Sequence, residues 1–119
     1  MKVLIVDDSK TMRIIIKGAL SKDGVGDTVE AENGKQAVAL VMSESPDMIL
    51  MDWNMPEMSG LDAVKAIRAA GNKAPILMVT TEAEKHRVVE AIQAGVNDYL
   101  VKPFTPDALI EKTKKHAPA

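Results

Sequence analysis

The sequence has no cysteine, one tryptophan, one tyrosine, one phenylalanine, and no strong excess of charge of either sign. Without cysteine there is neither a disulfide framework nor a thiolate metal site, which is compatible with a reducing compartment. A net charge of −2 and a pI near 5.7 leave no basic footprint for nucleic acid as a primary ligand. Long apolar runs are also missing. "VLIV" at residues 3–6 is interrupted by Asp7 and Asp8, too soon for a secretory segment, and no later run approaches a membrane span. These exclusions predict a cytoplasmic protein with no membrane insertion and no nucleic-acid partner. At 119 residues and 12.8 kDa the chain is expected to form one domain, residues 1–119, large enough to bury about two-thirds of its unfolded surface without staples.

What is present is alternation. Short apolar runs, "KVLIV" (2–6), "TVEA" (28–31), "MILM" (48–51), "PILMV" (75–79) and "DYLV" (98–101), are separated by amphipathic stretches of helical length. Most of the runs are nearly continuous, as strands buried on both faces of a parallel sheet are, while "TVEA" is polar enough for an edge. Met12, Ile15, Ile16, Ala19 and Leu20 fall on one helical stripe, Leu61, Val64 and Ile67 on a second, and Val88, Val89 and Ile92 on a third. Gly24, Gly71 and Gly95 stand where those helices should stop in left-handed caps. Pro106 suits the first turn of a last helix, expected to use up nearly all that remains before Ala119 and to leave no room in this sequence for an output domain. The repeat predicts an α/β fold, a doubly wound sheet of five parallel strands with right-handed crossovers and helices on both faces. Alternation alone does not order the strands.

In open α/β sheets, ligands collect outside the carboxyl ends of the strands. Asp7 and Asp8 follow the first run, Asp52 the third, Thr80 and Thr81 the fourth, and Lys102 with Pro103 the fifth. Each has an ordinary use: acids complement a helix dipole, threonine forms strands, and a lysine after a strand is normally solvated. Together they make a chemical set. Three carboxylates crowded at pH 7 must keep a proton or hold a cation, and oxygen-only ligands suit Mg²⁺, which retains waters and leaves positions for phosphate oxygens. With the charge neutralised, one carboxylate can attack phosphorus while a lysine and a hydroxyl balance the transferring group. Met48, Met51, Met55 and Met58 cluster near Asp52 in sequence, where core filling is the expected role.

"IVDDSKTMR", "MDWNMPEMSGLD", "MVTTEAEK" and "NDYLVKPFTP", in this order over essentially the whole chain, resemble the receiver domain of two-component response regulators, and most closely the single-domain chemotaxis regulators among them. The resemblance implies a flavodoxin-like strand order of 2-1-3-4-5 with five helices. It implies that Asp52 accepts a phosphoryl group, that Asp8 binds Mg²⁺ directly with Asp7 helping through water, and that Asp52 and the backbone carbonyl of Asn54 complete the protein's ligands. Thr80 and Lys102 would contact phosphoryl oxygens, the Lys102–Pro103 bond would be cis, and Pro56 and Gly60 would shape the loop after the acceptor. Trp53 matches an aromatic beside the acceptor. Tyr99 matches a switch aromatic that moves with Thr80, coupling Asp52 to the surface of the fourth helix, fifth strand and fifth helix, where Lys85, His86, Arg87, Lys112, Lys114 and Lys115 lie in or near. Asn54 and Glu82 match positions that tune dephosphorylation. Thr81 fills a place where many relatives have alanine or glycine, so its bulk is expected to restrict access to Asp52.

Three functions compete on this reading. A phosphorylation-activated chemotaxis switch would take its phosphoryl group from a histidine kinase of the CheA type, bind a flagellar motor switch protein, and act as a monomer, with a phosphatase as a possible further partner. A phosphorelay shuttle would instead pass the group to a histidine phosphotransfer domain. A Mg²⁺-dependent phosphatase with an aspartyl nucleophile would need a second acid two residues after Asp52, where Asn54 stands. The first is favoured, as a protein that promotes only its own aspartyl phosphorylation and dephosphorylation. A flavin module is weaker still, since no hydroxyl- and glycine-rich loop follows the first strand.

Overall fold

The computed structural model describes residues 1–118; Ala119, the end of the expected domain span, lies outside the described residues. Strands β1 (Lys2–Val6), β2 (Asp27–Ala31), β3 (Met48–Met51), β4 (Ile76–Thr80) and β5 (Asp98–Val101) alternate with helices α1 (Lys10–Lys22), α2 (Gly34–Glu44), α3 (Gly60–Ala69), α4 (Lys85–Ala94) and α5 (Pro106–His116). All strand pairs are parallel, in the order β2-β1-β3-β4-β5. The polar "TVEA" segment is therefore an edge strand, lengthened to include Asp27. The fourth strand starts after Pro75 and ends on Thr80, which pairs with Val101 of β5 in the ladder.

Alternate strand residues feed two cores. Leu4, Val6, Ile49, Met51, Ile76 and Met78 point to one face, where they meet Ala37 and Val41 of α2, Val64 and Ile67 of α3, and Ala91 of α4. Val3, Ile5, Met48, Leu50, Leu77 and Val79 point to the other, against Ile16 and Leu20 of α1 and Leu109 of α5. Each fully buried aliphatic side chain stabilises the fold by roughly 1.5–3 kcal/mol relative to exposure. Met48 and Met51 are fully buried, and Met55 and Met58 pack against the first core.

Local signals start and stop the helices. Ser9, Asn33, Ser59 and Thr105 cap α1, α2, α3 and α5 by accepting from backbone N–H groups of the first turn, each worth about 1 kcal/mol. Pro106 occupies the first turn of α5, and Gly24, Gly71 and Gly95 all have positive φ. Two stripes are narrower than the sequence predicts. In α1 only Ile16 and Leu20 are buried and Ile15 is 48% exposed; in α4 the inward residue is Ala91, with Val89 and Ile92 turned out. Adjacent β-branched residues, Ile15 with Ile16 and Val88 with Val89, fit either of two stripes, and packing against the sheet buries Ile16 in α1 and Ala91 in α4. Among the described residues, no helix is long and apolar enough to cross a membrane.

Candidate functional site

The ladder runs one residue beyond the strands at their carboxyl ends and fixes the site's backbone there. The N–H of Asp7 donates to Ala31 O (3.1 Å), that of Asp52 to Val6 O (2.9 Å), and that of Lys102 to Thr80 O (2.8 Å). Asp7, Asp52 and Lys102 thus stand at one edge, just past β1, β3 and β5, and Thr80 ends β4 between the last two. The peptide bond between Lys102 and Pro103 is cis.

Asp7, Asp8 and Asp52 each offer a carboxylate oxygen within 4.8 Å of the others, although Asp8 is exposed while Asp7 and Asp52 are buried. Lys102 Nζ lies 2.6 Å from Asp7 Oδ2 and 3.6 Å from Asp52 Oδ2, so its close partner is Asp7. The other Asp7 oxygen accepts from the Ser9 N–H at 2.9 Å, and Asp52 Oδ1 accepts from the Trp53 N–H at 2.8 Å. Burial pushes the Asp52 carboxyl above its ordinary range and the neighbouring Asp7 charge adds to this. The Lys102 ammonium, the Thr80 hydroxyl and the Trp53 N–H pull the other way without offsetting it.

These residues fit a hard divalent ion. The three carboxylate oxygens all lie within 4.8 Å of one another, and an oxygen-only ligand set suits Mg²⁺. The carbonyl oxygen of Asn54 accepts no backbone or side-chain hydrogen bond among the described residues, so its lone pairs are available. A cation would also relieve the burial of a charged Asp52 beside Asp7.

Glu82 joins the remaining residues. Its carboxylate accepts from Asn54 Nδ2 at 3.0 Å, its N–H donates to the Thr80 hydroxyl at 3.4 Å, and its carbonyl accepts from the Tyr99 hydroxyl. Burial foremost, with Glu82 nearby, holds the Tyr99 hydroxyl up at about 12, so it is always a donor at neutral pH. Trp53 is buried behind Asp52, and the Arg87 guanidinium lies over its ring at 5.3 Å, an arrangement worth about 0.5–2 kcal/mol. Thr81 is exposed. Of the basic residues in or near α4 and α5, Lys112 and Lys115 lie beside Asp98, Lys114 beside Asp23 and His86 beside Glu84, and Lys85, His86, Lys114 and Lys115 are exposed.

Two glycines complete this edge: Gly60, which the family resemblance places in the loop after Asp52, and Gly34, which sequence reasoning does not single out. Gly60 donates to Trp53 O at 2.8 Å, and a Cβ on it would overlap the carbonyl oxygen of Asp52. Gly34, at the start of α2, donates to Met58 O at 3.2 Å and has no space for a Cβ against that carbonyl. Together the two glycines clamp the loop that leaves β3. A glycine at a helix start looks from sequence like a weak cap, so its close approach shows only in the fold.

Comparison with known proteins agrees with this geometry. A family model described as "Response regulator receiver domain" matches residues 3–114. The chain is 52% identical to the chemotaxis protein CheY1 of Helicobacter pylori (strain J99 / ATCC 700824) over 115 residues, covering 94% of this chain and 93% of that one. It is 49% identical to the chemotaxis protein CheY of Pseudomonas aeruginosa over 117 residues, covering 97% and 94%. Among solved structures, that of Vibrio cholerae chemotaxis protein CheY4 superposes with a TM-score of 0.90 at 36% identity, over 97% of each chain. A five-stranded sheet with an acidic pocket at its carboxyl edge, a match over residues 3–114 and relatives near 50% identity together place this chain in the response regulator receiver domain family, close to the CheY chemotaxis proteins.

Proposed function

We propose that this protein is a phosphorylation-activated chemotaxis regulator, in which Asp52 receives a phosphoryl group from the phosphohistidine of a CheA-type kinase. The observation that supports it best is the placement of Asp52: a 7%-exposed carboxylate within 4.8 Å of two other acids and 3.6 Å from a lysine ammonium. In this reading an Asp52 oxygen attacks phosphorus in line with the departing imidazole nitrogen. Lys102 and the Thr80 hydroxyl take the charge that gathers on the phosphoryl oxygens. Asp8, Asp7 through water, Asp52 and the Asn54 carbonyl would hold Mg²⁺, which when bound supplies charge neutralisation and orientation.

Asn54 and Glu82, already hydrogen-bonded to each other across the front of the site, would set the orientation of the water that removes the group, and the exposed Thr81 would limit its access. Output would pass through Thr80 and Tyr99, both bound to Glu82, to the face of α4, β5 and α5. There Val89, Ile92 and Val101 are 44%, 47% and 39% exposed, apolar area of the kind a motor switch protein would cover. The protein would work as a cytoplasmic monomer, with a phosphatase as a possible further partner, and promote no reaction beyond its own phosphorylation and dephosphorylation.

The test has two arms. Labelling from acetyl phosphate should require Mg²⁺ and disappear in Asp52→Asn; undiminished labelling of that variant would refute the acceptor assignment. Beryllofluoride, a phosphoryl mimic, should increase retention by an immobilised motor switch protein. Retention by a histidine phosphotransfer domain alone would replace the switch with a relay shuttle.

A further inference from the structure

We infer that Arg13 is a positioning residue for the Asp7–Asp8 pair: its guanidinium fixes the peptide plane that joins the two acids and thereby sets how well they take a divalent cation. The inference rests on the reading that this pair receives Mg²⁺.

Arg13 lies in the first turn of α1 with its side chain only 12% exposed. Nη1 donates to the carbonyl oxygen of Asp7 at 2.6 Å, and Nε donates to Glu30 Oε1 on β2 at 3.0 Å. The second Glu30 oxygen lies 3.8 Å from Lys17 Nζ, one helical turn beyond Arg13, so Glu30 is held from both sides. The Asp7 carbonyl follows the last residue of β1 and has no backbone donor among the described residues, which leaves the guanidinium as its partner. Asp7 is consequently pinned at its N–H by Ala31, at one carboxylate oxygen by the Ser9 N–H, and at its carbonyl by Arg13.

Asp8 has none of this support. Its exposed side chain makes no hydrogen bond or ion pair among the described residues, so its direction depends on the backbone that carries it. That backbone begins with the Asp7–Asp8 peptide, and Arg13 holds the oxygen side of that plane. A charge-assisted hydrogen bond is stronger than a neutral one and suits such a fixing role.

The sign of the effect distinguishes positioning from charge. A guanidinium next to a cation site repels the cation, so by electrostatics alone its removal should tighten binding. If Arg13 acts by holding the peptide plane, removal should weaken binding because the acids must then be ordered at the ion's expense.

Mg²⁺ should be titrated calorimetrically, and by Trp53 emission, at fixed ionic strength and well below the melting temperature. The proteins are wild type, Arg13→Ala, Arg13→Lys, Glu30→Gln and Asp8→Ala. Arg13→Ala should bind Mg²⁺ about fivefold to tenfold more weakly, the loss of roughly one charge-assisted hydrogen bond. Arg13→Lys, which keeps one charged donor, should recover most of that loss, and Glu30→Gln should weaken binding by about twofold to threefold because the guanidinium is less firmly aimed. A merely structural role would lower the melting temperature and leave these dissociation constants unchanged. If Arg13→Ala binds as tightly as wild type or more tightly while Asp8→Ala loses binding, the positioning role is wrong and the metal reading stands. If wild type shows no Mg²⁺ binding, both fall. Should Arg13→Ala not fold, Glu30→Gln decides: unchanged affinity there overturns the inference.

Discussion

Replacing Asp52 by asparagine should reverse the ordinary expectation that removing a buried polar contact destabilises a protein. Asp52 is 7% exposed, and burial together with the neighbouring Asp7 charge raises its pKa above the ordinary carboxylate range. Below the ordinary carboxylate range the group is protonated whether the chain is folded or not, and it contributes nothing. As pH rises through that range the unfolded chain releases the proton first, so folding stability falls until the folded carboxyl also ionises. At neutral pH and without divalent ions the wild type therefore retains a destabilising charge that an amide of the same shape lacks. The amide oxygen can still accept from the Trp53 N–H, and Lys102 keeps its closer partner Asp7 at 2.6 Å. Asp52→Asn should then melt at a higher temperature than wild type in EDTA at pH 7.5. Mg²⁺ at about a hundred times its dissociation constant stabilises a folded protein by roughly 2.7 kcal/mol. For a chain of 119 residues that raises the wild-type melting temperature by about 10 °C. The variant, with one site acid neutralised, should gain less than half as much, so that the order of the two melting curves inverts as Mg²⁺ is added. Thermal melts followed by circular dichroism, with EDTA or graded Mg²⁺, measure this directly. A variant less stable than wild type in EDTA, or one with an equal Mg²⁺ response, would falsify the claim that Asp52 is buried at a cost the ion relieves.

Other perturbations have equally definite outcomes. Burial pushes the Asp98 carboxyl up, but hydrogen bonds from Lys112, His116 and the Tyr99 N–H outweigh it and hold it at about 2. Asp98→Asn should therefore lower stability by about 1 kcal/mol after solvent screening. In urea denaturation the loss should be full above the ordinary carboxylate range and vanish as pH falls toward about 2; a gap that persists in acid would contradict it. Gly60→Ala places a methyl group against the Asp52 carbonyl and should cost about 2–3 kcal/mol while weakening Mg²⁺ binding. A variant of normal stability and normal Mg²⁺ affinity would show that the loop accommodates it freely. Glu57 sits at φ 63°, a left-handed conformation that glycine adopts without strain. Glu57→Gly should raise the urea midpoint by an amount equivalent to roughly 0.5 kcal/mol, and a lower midpoint would refute the idea.

How much of this was legible in the sequence depended on whether a residue's environment is local. β1, β3 and α3 could be read directly, because continuous apolar runs and the spacing of Leu61, Val64 and Ile67 leave one arrangement that buries them. The caps at Ser9, Asn33, Ser59 and Thr105 act within a single turn. The α4 face was misjudged because Val88 and Val89 compete for the same stripe, and only packing against the sheet favours the side that buries Ala91. Strand order came from the family likeness, since alternation is compatible with several orders. The acids could be expected at one edge from their places after the runs, but the preference of Lys102 for Asp7 over Asp52 depends on strand positions that no spacing encodes. The same holds for Glu82, whose partners Asn54, Thr80 and Tyr99 come from three different segments.

The two edges of the sheet treat their charges in opposite ways, and that contrast supports the functional reading independently of the likeness to other proteins. At the amino edge polar groups are satisfied within the chain. Arg68 donates to the carbonyls of Asn72, Ala74 and Gly95 and to Asn97 Oδ1, and Asp98 holds Lys112 and His116. Lys2 is tied to Asp47 and Glu44. At the carboxyl edge Asp7 and Asp52 share the ammonium of Lys102, Asp8 has no protein partner among the described residues, and Asp52 carries a raised pKa. A fold selected for stability alone could pair the acids at that edge as it does at the other, through an arginine or a second lysine. Leaving them underpaired costs stability in the isolated chain and, on the proposed function, would make the edge responsive to a cation and to a phosphoryl group, both of which would alter its charge. Supplying an intramolecular cation should expose the same trade: a lysine in place of Asn54 would be expected to stabilise the chain in EDTA and to abolish its Mg²⁺-dependent labelling. Retained labelling would show that the underpaired charge is incidental.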